Sequence, residues 1–193
     1  MAQRLQVNGI GLVWLALLLL VLPLRWMIAA ICAAGFHELC HIAAIYLCGG
    51  RIGTMRITQR GASLYIAMLP WRRELICALA GPVGSFLLLF AAELWPRLAL
   101  CALFHGLYNL LPIYPMDGGR ILRCTATGLF GEDQAECICL WMARITCGIL
   151  LLAGFYGFLV LHTGVFPFFL AGFVICKANF RKFPCKDGIW RVQ

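Results

Sequence analysis

Apolar runs approaching the length needed to cross a bilayer recur six times in this 193-residue chain, and they constrain its fold more than any motif does. They extend from Ile10 to Leu24, Trp26 to Cys48, Leu75 to Leu94, Leu98 to Ile113, Cys137 to Leu161 and Val165 to Ala178. A hydrocarbon core about 30 Å thick takes about 20 residues of helix to cross. The first run is short and follows Arg4, as a signal peptide would. The second follows it at once, and a two-helix hairpin about Pro23 and Arg25 accounts for both. Hydrophobic residues make up 63% of the chain and charged residues only 12%, against about 45–50% and about 25% in soluble domains. That balance excludes a water-soluble enzyme and a disordered chain. The expected fold is an all-α polytopic membrane protein of about six transmembrane helices, forming a single domain over residues 1–193.

The net charge of +8 does not point to nucleic acid, because no basic face gathers it. The charge lies in the gaps between runs, where it sets orientation. With the N-terminus in the cytoplasm and six crossings, the cytoplasmic segments hold Arg4, the five arginines from Arg51 to Arg73, Arg120 and Arg123, and five basic residues from Lys177 to Arg191. The other side holds only Arg25 and Arg97, and Arg144 falls within a span. Trp26, Trp71 and Trp95 lie near span ends, as an interfacial belt requires. Both termini are therefore expected in the cytoplasm.

Most of the eleven cysteines sit inside apolar runs, and no CxxC pair occurs, which argues against a zinc ribbon or a disulfide scaffold. Between the second and third runs, residues 50–69 alternate β-formers with polar residues around Gly61. That pattern predicts a short membrane-associated β-hairpin.

Within the second run stands His37-Glu38-Leu39-Cys40-His41. Residues four apart on a helix share one face, roughly 6 Å from each other, so the two imidazoles can hold one zinc ion at about 2.0–2.1 Å each. Glu38, next to the first ligand, is placed to take a proton from water rather than to ligate. Ionisable groups at membrane depth cost about 2.5–3.5 kcal/mol each on insertion scales, so three within five residues need a shared purpose. A catalytic zinc normally has a third protein ligand. His105 lies inside the fourth run without a partner motif and reads as a packed or hydrogen-bonded residue. Asp117 is the better candidate. It follows Pro112 and Pro115, which break the helix, and precedes Gly118-Gly119, where the chain can turn. Asp117 is thus expected on irregular chain beside a wet pocket, near the cytoplasmic end that the second run also approaches.

These two motifs together resemble the site-2 protease family of intramembrane zinc metalloproteases, and Gly81-Pro82 is similar to that family's Gly-Pro motif. The resemblance covers roughly Phe36 to Leu122. It implies His37, His41 and Asp117 as zinc ligands, Glu38 as the residue that activates water, and Asn109 as a residue lining the cleft near the substrate. Cys40, Met116 and Ser85 depart from residues common in the family. No PDZ-like or CBS-like domain is expected, and the compact form is most similar to the sporulation branch, which processes a membrane-bound sigma-factor precursor.

The reading that follows is an intramembrane metalloendopeptidase, cutting a peptide bond within or next to a membrane segment of another protein. Its implied partners are a single-span substrate, the lipid bilayer and regulatory membrane proteins, with no nucleic acid; its location is a bacterial cell membrane, with the active site towards the cytoplasmic half. Two other classes share some of these features: a metal-binding membrane transporter and a non-catalytic membrane scaffold.

Overall fold

The structure is a computed structural model that describes residues 23–50, 52–58, 61–67, 69–160, 172 and 189–192. In chain order it has α1 (Leu24–Leu47), β1 (Ile52–Thr58), β2 (Gly61–Ala67), α2 (Trp71–Leu87), a 3-10 turn (Leu88–Ala91), α3 (Pro96–Asn109), α4 (Asp117–Phe130), α5 (Glu132–Leu159) and β3 (Ile189–Val192). Among the described residues three helices are long and apolar enough to cross a membrane: α1, α2 with its 3-10 extension to Ala91, and α5. The runs expected at 10–24 and 165–178 lie almost wholly outside the described residues.

The apolar pattern of α1 separates two environments. Ala29, Ala33, His37, His41, Ala44 and Ile45 are buried and recur at the three- and four-residue steps that make one helix face. Small residues on that face let neighbouring helices approach closely, and α1 packs against both α2 and α3. Ile28, Ile31, Leu39 and Leu47 project outwards, with Leu47 88% exposed. In water such a surface would be a liability, whereas against lipid tails it is the expected outer face. Both histidines therefore belong to the packed stripe, not to the outer face.

Two expectations need correction. The fourth run is not one continuous helix from Leu98 to Ile113. α3 ends at Asn109 after 14 residues, roughly 21 Å of helix, too short to cross alone. Pro112 lacks an amide for the ladder and restricts Leu111 before it, so residues 110–116 are irregular. Nor does Asp117 lie on that irregular chain, since it is the first residue of α4, with Met116 as the N-cap. A carboxylate in the first turn is favoured by the helix dipole. Gly118 and Gly119 therefore make the first turn of a helix rather than a bend. They are there for close approach: a Cβ on Gly118 would strike the Leu110 carbonyl, and one on Gly119 would come within 2.6 Å of the Ile113 carbonyl carbon. The start of α4 is thus pressed backbone to backbone against the broken chain.

Gly131, at φ +86°, joins α4 to α5 in a conformation that L side chains rarely adopt. α4 packs against α2 and α5, so Asp117 is carried back towards the α1–α2 interface. β1 pairs antiparallel with β2, from Ile52 opposite Ile66 to Thr58 opposite Gly61, with a register irregularity between Ile52 and Met55. β3 adds antiparallel to the other edge of β2, giving the order β1-β2-β3.

Because the Gly119 contact is with backbone, it cannot be relieved by a side-chain rotation. Gly119→Ala should destabilise the fold by about 1–3 kcal/mol, read as a lowered thermal midpoint of the detergent-solubilised protein. An unchanged midpoint would show that the two segments are not held in this contact.

Candidate metal centre

One turn of α1 brings the imidazoles of His37 and His41 onto the same buried face, with ring centroids 4.8 Å apart and planes at 79°. The N-terminal turn of α4 brings Asp117 to them. His37 Nε2 lies 2.9 Å and His41 Nε2 3.0 Å from Asp117 Oδ2, and the two Nε2 atoms are 3.1 Å apart. All three residues are buried. Three ligand atoms around a tetrahedral centre at about 2.0–2.1 Å would be about 3.3 Å apart, so this nearly equilateral triangle needs to open by only a few tenths of an ångström. Two imidazoles and a carboxylate are also the donor set of one class of catalytic zinc site. Among the described residues, His37, His41 and Asp117 form the group of side chains able to hold a metal ion.

The backbone leaves room for one. Gly81, on α2, faces the triangle, and a Cβ there would collide with His41 Nε2 and lie 2.6 Å from His37 Nε2. Any other residue at position 81 would put carbon against the two atoms that face the proposed ion.

Each ligand candidate is also held from behind. His37 Nδ1 is 2.8 Å from Ser85 Oγ, and His41 Nδ1 donates to the Cys77 carbonyl at 2.7 Å. The ring of His105, from α3, meets that of His37 edge to face with centroids 4.7 Å apart. Arg120, one turn along α4, places Nη1 3.5 Å from Asp117 Oδ1, and its Nε is 3.9 Å from Glu74 Oε1 on α2. Asp117 thus turns one oxygen to the histidines and the other to a buried guanidinium. Burial opposes ionisation of its carboxyl, but its hydrogen bonds with His37 and His41 and the nearby Arg120 guanidinium outweigh that and hold the group well below the usual carboxylate range. At neutral pH it is an anion fit to ligate.

Glu38, next to His37 on α1, is exposed on its outer side and within electrostatic reach of His41, His37, Asp117 and Arg120. It stands beside the triangle without closing it. Asn109 is not brought to the triangle: it is half-buried at the end of α3, where its amide donates to the His105 carbonyl at 3.1 Å.

The sequence reading takes Arg120 as a topology charge and Ser85 only as a departure from residues common in the family, and it gives Glu74 no role. A signal was present for two of them. Arg120 is three residues from Asp117, hence on the same helix face. Ser85 is four residues beyond Gly81, one turn along the same α2 face. Glu74 gave no such sign, because its partner comes from a distant element.

Residues 79–153 match the model of peptidase family M50. The matched stretch contains Asn109 and Asp117 and begins after His37 and His41. A zinc metalloprotease of Methanocaldococcus jannaschii is 30% identical over 132 residues, covering 61% of this chain and 39% of that protein. The chain therefore spans about two fifths of the length of that curated relative. A site-2 protease structure from the same organism superposes with a TM-score of 0.64 and 24% identity, covering 91% of this chain and 88% of the other. The fold is that of a site-2 protease. The match to the peptidase family M50 model covers less than half of this chain, and the solved structure is similar at the level of the fold.

Gly81→Ala fills the space facing both Nε2 atoms. We expect the purified variant to lose its zinc while keeping its helical circular-dichroism signal. Retention of the native zinc content would place the ion somewhere other than between these residues.

Proposed function

We propose that this chain is an intramembrane zinc metalloprotease, hydrolysing a peptide bond within or next to a membrane segment of another protein. The observation that carries the reading is the convergence of His37, His41 and Asp117 on one point, beside Glu38. His37 and His41 present Nε2, and Asp117 presents Oδ2, to a zinc ion. Zinc in such a site supplies a Lewis acid and water of lowered pKa. Glu38 takes the proton from the attacking water and returns it to the leaving amine. Arg120 keeps Asp117 charged and oriented, and Asn109, where α3 breaks, lines the cleft on the substrate side.

A helical substrate segment must unwind before its amides can be cut, since they are tied into the helix ladder. β1 has one edge paired with β2 and is the strand that receives the unwound segment by edge pairing. The substrate is a single-span membrane protein, and a sigma-factor precursor is one such substrate. Regulatory membrane proteins control access to the cleft. The chain resides in a bacterial cell membrane with both termini in the cytoplasm. The bias of basic residues supports this orientation, as does the pairing of β3 with β2, which keeps residues 189–192 on the same side as the α1–α2 connection.

Glu38→Gln tests the reading directly. Co-expressed with candidate single-span substrates, it should lower release of the cytoplasmic fragment by more than about 100-fold while zinc stays bound. Continued release by this variant would remove Glu38 from the reaction, and a native protein purified without zinc would favour a scaffold. Prolines at alternate positions of β1 remove amides available for strand addition; cleavage should fall with zinc content unchanged, and undiminished cleavage would take the hairpin out of the mechanism.

A further inference from the structure

Both histidines of the triangle are held through Nδ1 by the same helix. Cys77 and Ser85, the two partners, are eight residues apart on α2, about two turns, and so lie on one face of it. The two contacts differ in kind. His41 meets a backbone carbonyl, which no substitution can delete, whereas His37 meets a hydroxyl that the sequence chooses. Ser85 is fully buried, with 0% exposure, and His37 is 1% exposed, so water does not replace this contact. α3 also packs closely on this residue, since a Cβ at Gly106 would lie 3.0 Å from Ser85 Cβ.

We propose that Ser85 is a positioning residue for the metal centre, accepting the Nδ1–H of His37 and so fixing the tautomer and ring plane that present Nε2 to the ion. The inference rests on the reading of His37, His41 and Asp117 as metal ligands. Without the hydroxyl, a buried N–H loses its partner and the ring is free to turn about Cβ–Cγ or to carry its proton on the metal-facing nitrogen. Both changes weaken the ligand without touching the ion. Removing such an outer partner costs 10–100-fold in metal affinity in comparable sites.

The test uses the full chain in detergent, titrated with Zn2+ and with Co2+ against a chromophoric chelator. A His37→Ala/His41→Ala variant defines the background from the eleven cysteines. Ser85→Ala should weaken metal binding by about 10–100-fold and alter the visible cobalt spectrum. Ser85→Thr and Ser85→Val differ from each other only by hydroxyl for methyl, so any packing cost is common to both. Thr should bind metal more tightly than Val by a similar factor, a comparison that stands even if Ser85→Ala fails to fold. Native affinity in Ser85→Ala, or equal affinities in the Thr and Val pair, overturns the role. A native chain that takes up no more cobalt than the double-histidine variant overturns the metal reading itself, and this role with it.

Discussion

Two imidazoles and a carboxylate packed inside a bundle of apolar helices must find every partner within the protein, because neither lipid tails nor a dry interior supplies one. That requirement organises the structure. His37 and His41 turn Nε2 towards Asp117 and Nδ1 towards α2, so each ring has a use for both nitrogens. Asp117 turns its second oxygen to Arg120, whose charge is in turn met by Glu74. Four helices thus contribute to a single polar knot, with His105 of α3 packed on its edge, and the knot explains why buried charge is tolerated in a chain with so little charge overall.

Small residues create the space this arrangement needs. The alanines of α1 bring α2 and α3 close, Gly81 lets the backbone of α2 pass beside the two Nε2 atoms, and Gly118 and Gly119 seat the start of α4 on the irregular chain before it. The break at Pro112 is what frees that chain to leave the axis of α3. A continuous helix from Leu98 onwards would carry Asp117 along the α3 axis and away from the histidines. Helix breaking and helix restarting are therefore both part of building the site.

The histidine pair was legible in the sequence because a four-residue spacing on a long apolar run permits one geometry only. Asp117 was legible as a candidate from the prolines and glycines around it. Its place in a helix was not, since Asp-Gly-Gly has poor intrinsic helix propensity; backbone contacts with residues 110–114 override that preference. The length of α3 was overread because apolar composition continues past Asn109 while the prolines set the actual limit. β3 left no trace in the sequence, as four residues pairing with a strand more than a hundred positions earlier carry no local periodicity. Arg120 reads as an orientation charge because a basic residue near a span end ordinarily is one.

The central claim is that side chains from α1 and α4 share one zinc ion, and zinc K-edge X-ray absorption of the purified chain reads it most directly. The account predicts a first shell of nitrogen and oxygen at about 2.0–2.1 Å with the outer scattering of two imidazoles. A first shell of sulfur at about 2.3 Å would mean that the cysteines, and not His37, His41 and Asp117, bind the metal.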